Sequence, residues 1–337
     1  MVEMVERVEM VERVGIDNYG LFPLGLSPLE TMQWAHDHGA AGVAFSGLDE
    51  AVRARFDCRE VINLKAFAEA NGMYLEWGGG QHVPRNLVTY EPSDIFNVNR
   101  IAAEEAKALG ARVIRSCSGG LMRWNPAAPS TARLLEEMTA ALASQKQMLM
   151  DHQVILAIET HFEFTTFELL KVFHDLGARP GEWIGICLDT MNLLTLLEDP
   201  LLAAERVLPW IVSTHIKDGG ILQTDKGFTT FPAPLFQGIV NFDGLLEKLP
   251  PVNLNIEAHA GHFDIPVFDP VFRLQFPDLT DTEMEQLVAL SIQTQTKMEG
   301  GSLRILKREE WPQVCEERMA HDLKAMAIRI KDLRIKN

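Results

Sequence analysis

The stretch Val154-Ile-Leu-Ala-Ile158-Glu159-Thr-His161, the segment Thr165 to Gly177 behind it, and Ile184-Gly-Ile-Cys-Leu188-Asp189 decide the fold. Val154–Ile158 and Ile184–Leu188 are short apolar runs without polar alternation, as expected of strands buried on both faces. Thr165 or Thr166 can cap a helix over Phe167 to Leu176, and Gly177 closes it. Each run leads straight into a carboxylate, Glu159 and Asp189. This is one strand–helix–strand unit with acid at the strand ends.

The same alternation extends in both directions. Further runs lie at Val14–Asp17, Gly42–Phe45, Met73–Trp77, Val113–Ser116, Ile211–Ile216 and Val252–Ile256. Helical stretches separate them. Ser27-Pro28 opens one, Ser93 to Leu109 ends at Gly110, Thr131 to Asp151 is long, and Asp243 to Leu249 stops at Pro250-Pro251. Eight strands alternating with helices predict an α/β fold, a (β/α)8 TIM barrel. An open doubly wound sheet would want a glycine-rich phosphate turn after its first strand, and Gly20-Leu-Phe-Pro-Leu-Gly25 is not one.

Beyond the eighth run the chain continues as a C-terminal helical extension. Thr282-x-x-Glu285 reads as a capping box opening a helix to about Met298. A second helix is expected from Arg308 to Lys331, with Pro312 in its first turn. One of the two should close the barrel. Residues 260–280, with Phe263, Phe268, Phe272 and Phe276, show no clear period. They read either as aromatic packing on the barrel top or as an active-site wall or subunit contact. Residues 1–13 hold the repeat Val2-Glu-Met-Val-Glu-Arg7, Val8-Glu-Met-Val-Glu-Arg13, whose period of six fits neither a helix nor a heptad. They are expected to be a flexible tail ahead of a single domain over 14–337.

The chain has 337 residues with 31 basic and 47 acidic side chains, a formal charge of −16. Such an excess of acid argues against gripping nucleic acid through its phosphates. An apolar content of 47% allows a large core. Cys58, Cys117, Cys187 and Cys315 are widely spaced and read as free thiols. No apolar run is long enough to span a membrane, and the charged start lacks the apolar core of a signal peptide. A cytoplasmic protein is expected.

Barrel chemistry sits at the C-terminal strand ends. There the fifth strand delivers Glu159, the sixth Asp189, the seventh His215 and the eighth Glu257. Each alone could cap a helix or pair with a lysine. Four on consecutive strands at one height make a ligand set of three oxygens and one imidazole. That set suits one divalent ion, Mn²⁺ first, with Mg²⁺ or Co²⁺ as alternatives.

Five motifs occur in order: Ala157-Ile-Glu-Thr-His161, Gly185-Ile-Cys-Leu-Asp-Thr-Met-Asn192, Thr214-His-Ile-Lys-Asp218, Gly238-Ile-Val-Asn-Phe242 and Asn255-Ile-Glu257. In these the chain resembles the xylose isomerase-like barrel superfamily, in its sugar phosphate isomerase/epimerase branch, from about Val14 to Glu257. The resemblance implies that Glu159, Asp189, His215 and Glu257 bind one divalent metal. It also implies that Glu159 and Glu257 face a sugar from opposite sides and exchange a proton through a metal-stabilised enediolate. The C-terminal segment is longer than the resemblance would give. The superfamily's apurinic endonucleases need extra histidines, and Asn192 and Lys217-Asp218-Gly219 stand where these would be.

Other candidates surround the four. His161 lies two residues past Glu159 and is a candidate acid or base, or an orienting neighbour of a ligand. Lys217, two past His215, could hold a substrate oxygen or pair with Asp218. His259 is a candidate wall residue, and Arg115 a candidate anion contact or rim ion pair. Gly78-Gly79-Gly80 offers either close backbone approach to a ligand or a tight turn. The leading reading is an isomerase or epimerase of a keto-sugar. The second is a lyase that uses the same enolate for elimination, resembling inosose dehydratases or the catalytic subunits of 3-oxo-C-glycoside deglycosidases. The expected partner is a small carbohydrate, with self-association of the barrel and, in the deglycosidase case, a small partner subunit.

Overall fold

The computed structural model describes residues 14–48, 50–118, 120 and 122–335, so the reading of 1–13 as a tail lies outside the described residues. Eight parallel strands close into a barrel. They are β1 (Val14–Asp17), β2 (Gly42–Phe45), β3 (Tyr74–Gly80), β4 (Val113–Ser116), β5 (Ile155–Glu159), β6 (Ile184–Asp189), β7 (Ile211–Ile216) and, after two interposed strands, β10 (Leu254–Ile256). β10 sits between β7 and β1, which closes the ring. Every residue of β1, β2, β5 and β6 is buried, as barrel lumen on one side and helices on the other require.

Three helices begin where the sequence signals them. Ser27 caps Pro28–Asp37 and makes a reciprocal box with Glu30. Thr165 and Glu168 do the same for Thr166–Asp175. Asp94 caps Ile95–Leu109, and Gly110 ends it in the left-handed conformation. The long helix expected over 131–151 is broken into Thr131–Ala143 and Lys146–His152. Gln145 at the break is fully buried and accepts a 2.5 Å bond from Asn99. The capping box lies two residues upstream of its expected place. Thr280 and Glu283 form it, because Glu283 is also held by Arg206 at 3.0 Å.

The glycines after Trp77 serve the strand. A Cβ on Gly78 would lie 2.2 Å from the Phe45 carbonyl, and Gly79 takes φ +84° at a register shift between β3 and β4. They are a packing device of the strand end.

The chain between β7 and β10 departs most from expectation. Asp218–Gln223 (β8) and Phe228–Ala233 (β9) form a hairpin, and Phe263–Ile265 (β11) adds a third antiparallel strand. The segment over 260–280 is therefore partly strand. Its aromatics pack: Phe263 on Phe162 (4.5 Å between centroids), Phe272 on Trp124 (5.4 Å), Phe268 on Phe228 (5.8 Å). The helix Asp281–Glu299 covers the free edge of β8. Its Thr294 and Ser291 hydroxyls accept from the Ile221 and Gln223 amides at 3.2 and 2.7 Å. That edge is thereby closed to further pairing. The last helix, Trp311–Ile335, packs on β1 and on the turn after it, and closes the barrel as its eighth helix.

Asp218 ties this insertion to the barrel. Its carboxylate accepts from the amides of Gly219 (2.8 Å), Gly238 (2.9 Å) and Val240 (3.2 Å), all buried. Asp218→Ala would strand three amides at ~1–3 kcal/mol each. We expect the urea midpoint to fall by the equivalent of at least ~3 kcal/mol. An unchanged midpoint would show the tie to be dispensable.

Candidate metal centre

Strand register sets the height of each candidate ligand. Asp189 is the register partner of His215, Glu159 of Cys187, and Asn255 of His215, so Glu257 follows one step above β10. The Glu257 amide donates to the Ile216 carbonyl at 3.1 Å, which carries the ladder one residue further. The result is convergence. One ligand atom from each of Glu159, Asp189, His215 and Glu257 lies within 4.8 Å of the others, and all four residues are buried.

His215 is oriented by a residue that the sequence reading passed over. Its Nε2 lies 3.3 Å from Asp17 Oδ2, while Nδ1 faces Glu159 Oε1 (3.3 Å) and Glu257 Oε2 (3.4 Å). Asp17 is itself fixed by the Ser46 hydroxyl (2.6 Å) and the Tyr19 amide (2.8 Å). An imidazole with one nitrogen beside a buried carboxylate and the other turned to a cluster of acids is placed as metal-binding histidines are. The signal was present, since Asp17 ends β1 as Glu159 ends β5. Asp189 is held in the same manner, with Oδ1 accepting from the amides of Met191 (2.9 Å) and Asn192 (2.8 Å).

The remaining oxygens face inward. Glu159 Oε2, Asp189 Oδ2 and Glu257 Oε2 are buried and make no hydrogen bond. Each does have a cation at ion-pair distance: Arg115 beside Glu159, and Lys217 Nζ at 2.8 Å from Asp189 and 2.6 Å from Glu257. The contacts lack hydrogen-bond geometry, so each acid has a cation beside it while its lone pairs remain available. If His215 is neutral, as it would be when binding a metal, Asp17, Glu159, Asp189 and Glu257 outnumber Arg115 and Lys217 by two charges. A divalent ion would cancel that excess, and the donor set of hard oxygens with one imidazole fits Mn²⁺, Mg²⁺ or Co²⁺.

The electrostatics follow from these pairs. Without a metal, the neighbouring acids keep His215 protonated against its burial; burial also works against ionising Glu159, but Arg115 and this His215 cation hold its carboxyl well below the usual range. Lys217 and His215 do the same for Glu257 against the same burial. Burial raises Asp189 in spite of Lys217. Lys217 is also buried, yet Asp189 and Glu257 keep its ammonium charged far above neutrality.

The other predicted residues gather here as well. Lys217 enters the ligand cluster and does not pair with Asp218. His259 Nε2 lies 3.2 Å from Lys217 Nζ and its Nδ1 3.2 Å from the Ala260 carbonyl. An ammonium can only donate, so His259 is neutral with its proton on Nδ1. Burial and the neighbouring ammonium push its pKa down to about 3. Arg115 donates to the Ser46 carbonyl at 3.1 Å as well as meeting Glu159, and its buried Nε has no hydrogen-bond partner. His161 leaves the strand line and turns to Glu163, with Nδ1 3.2 Å from Oε2.

Among the described residues no helix is long and apolar enough to cross a membrane. The xylose isomerase-like TIM barrel family profile matches residues 32–255, more than half of the chain. A 3-oxo-isoapionate decarboxylase of Pectobacterium atrosepticum is 25% identical over 261 residues, 74% of this chain and 85% of the relative. Among solved structures, an L-ribulose 3-epimerase superposes with TM-score 0.62 at 16% identity, over 96% of each chain. A 3-keto-D-glucoside 4-epimerase from E. coli gives TM-score 0.55 at 13% identity, over 79% of this chain and 97% of that one. These two likenesses establish the shared fold. A closed eight-strand barrel, a three-acid, one-histidine cluster at its C-terminal mouth and the family match converge: the chain belongs to the xylose isomerase-like TIM-barrel family.

Proposed function

We propose that the protein is a divalent-metal-dependent enzyme of keto-sugars and their acids that works through an enediolate of the substrate, and that its reaction is carbon–carbon cleavage of a 3-oxo sugar acid. The observation that carries this reading is the pair of buried cations in the ligand cluster. Lys217 stands between Asp189 and Glu257, and Arg115 lies on Glu159 with an unused Nε donor. A neutral sugar has no need of two buried cations, whereas a carboxylate would find both charge and donors. The decarboxylase relative acts on a substrate of this class by its name.

A divalent ion held by Glu159, Asp189, His215 and Glu257 would supply Lewis acidity at a ketone oxygen. Lys217 and Arg115 bind the substrate carboxylate and hold it near the ketone. The bond from the α-carbon to that carboxylate breaks, the carboxylate leaves as CO₂, and the bonding electron pair moves towards the ketone oxygen to give the enediolate. His161, its imidazole set by Glu163, delivers the proton that takes the vacated position on the α-carbon. His259, neutral and fixed by Ala260, lines the wall and positions Lys217.

A second reading keeps all carbons in place. Glu159 and Glu257 rise from β5 and from the end of β10, both within the cluster, and could pass a proton between the faces of a keto-sugar as an isomerase or epimerase. Arg115 and Lys217 each stand against one of these two acids, a pairing that the carbon–carbon cleavage uses and the proton exchange does not. The experiment is direct. Protein loaded with Mn²⁺ is given a 3-oxo sugar acid and, separately, a neutral ketose in D₂O. The proposal expects CO₂ from the acid and no deuterium in the ketose. Deuterium in the ketose with no CO₂ from the acid would install the second reading.

A further inference from the structure

A second group of ligating side chains stands beside the first. Cys117 is the residue immediately after β4, and His161 and Glu163 lie in the loop after β5. β4 and β5 pair in register, Ser116 with Ile158, so these two strand exits run side by side. One sulfur, one imidazole nitrogen and one carboxylate oxygen lie within 4.8 Å of one another.

The carboxylate is already aimed. Glu163 Oε1 accepts from the Gly120 amide at 3.1 Å and Oε2 from the Phe162 amide at 2.9 Å, with His161 Nδ1 at 3.2 Å. Backbone donors of this kind hold ligating carboxylates in position. Glu163 is buried, while Cys117 and His161 are half-buried, so the group opens towards solvent on one side. His82, fully buried within the field of Glu163, keeps Nε2 without any hydrogen-bond partner.

The donor chemistry differs from that of the first site. Three oxygens and an imidazole favour harder ions, whereas a thiolate with imidazole and carboxylate favours zinc. Three protein ligands leave a fourth zinc position open. Thiolate and carboxylate together carry two negative charges, which Zn²⁺ balances.

We propose that Cys117, His161 and Glu163 form a second metal site, selective for zinc and separate from the three-acid, one-histidine centre. Binding deprotonates the Cys117 thiol, and the proton leaves to solvent. Zinc there engages the imidazole of His161 and so removes it from proton transfer. That consequence for turnover rests on the role given to His161 above; the binding itself does not.

The test reads the metal rather than the reaction. Metal-stripped protein is titrated with Co²⁺, whose bond to a thiolate produces a near-ultraviolet charge-transfer band that oxygen and nitrogen ligands do not give. Since the first centre also takes Co²⁺ without a thiolate band, the band should saturate by two cobalt per chain in the unaltered protein and at one in Glu257→Gln, which disables the first centre, and it should bleach on addition of Zn²⁺. It should vanish in Cys117→Ser, an isosteric change, and weaken in Glu163→Gln. Zinc inhibition of the Mn²⁺-loaded enzyme should shift by about tenfold or more in Cys117→Ser. Absence of the band in the unaltered protein overturns the proposal. So does a band that survives Cys117→Ser and disappears in Cys187→Ala, since Cys187 borders His215. A cobalt band without zinc inhibition would keep the site and reject the role of His161.

Discussion

Glu159→Gln and Glu257→Gln are expected each to lower kcat by about three orders of magnitude or more, with little loss of thermal stability. On the proposed centre either change would remove one negative ligand, and losing metal-centred charge stabilisation is worth several kcal/mol in the transition state. The amide keeps the shape of the acid, so the barrel keeps its packing. The freed cation differs between the two. Glu159→Gln leaves Arg115 without its acid, whereas Glu257→Gln leaves Lys217 still paired to Asp189. Glu159→Gln should therefore be the less stable of the pair. Steady-state rates with metal content measured on the same samples check this. Wild-type turnover in either variant would remove that residue from the centre.

Lys217→Met separates the proposed reaction from the second reading. The methionine fills the space of the lysine stem and deletes the charge between Asp189 and Glu257. Two acids then face each other without their organic cation, so the affinity for a divalent ion should rise. Cleavage of a 3-oxo sugar acid should fall by about a hundredfold or more, because a buried charge-assisted contact to the substrate is lost. Deuterium exchange into a neutral ketose, if the second reading were correct, should hardly change. Equal rates on the acid before and after the substitution would exclude Lys217 from substrate binding.

The barrel was legible because each of its strands is sealed between lumen and helices. Runs such as Ile184–Leu188 and Val154–Ile158 carry no polar alternation, and the carboxylates that follow them mark the mouth. The four clustered side chains, Glu159, Asp189, His215 and Glu257, are the residues that end or directly follow four of these strands, apart from His215 within β7. Asp17 meets the same criterion at the end of β1 and was overlooked because no partner lies near it in sequence. Its role depends on β1 and β7 each flanking β10 in the closed ring, a long-range fact.

The hairpin after β7 was illegible for a local reason. Asp218-Gly-Gly-Ile-Leu-Gln223 opens with two glycines, which strands disfavour, yet a Cβ at Gly220 would lie 2.7 Å from the Phe231 ring. The helix start near residue 280 offered two overlapping threonine–glutamate pairs. Arg206, distant in sequence, selects the upstream one through Glu283. Cys117 and Glu163 gave no signal at all, since they meet only when β4 and β5 lie side by side.

The central claim is that Glu159, Asp189, His215 and Glu257 hold one divalent ion. Its most direct measurement is Mn²⁺ binding by the chelator-stripped protein, followed through the paramagnetic signal of free Mn²⁺. The account predicts one Mn²⁺ per chain, unchanged in Cys117→Ser and lost in a His215→Ala, Asp189→Ala double variant that remains folded. No bound Mn²⁺ in the unaltered protein, or undiminished binding in the double variant, would contradict it.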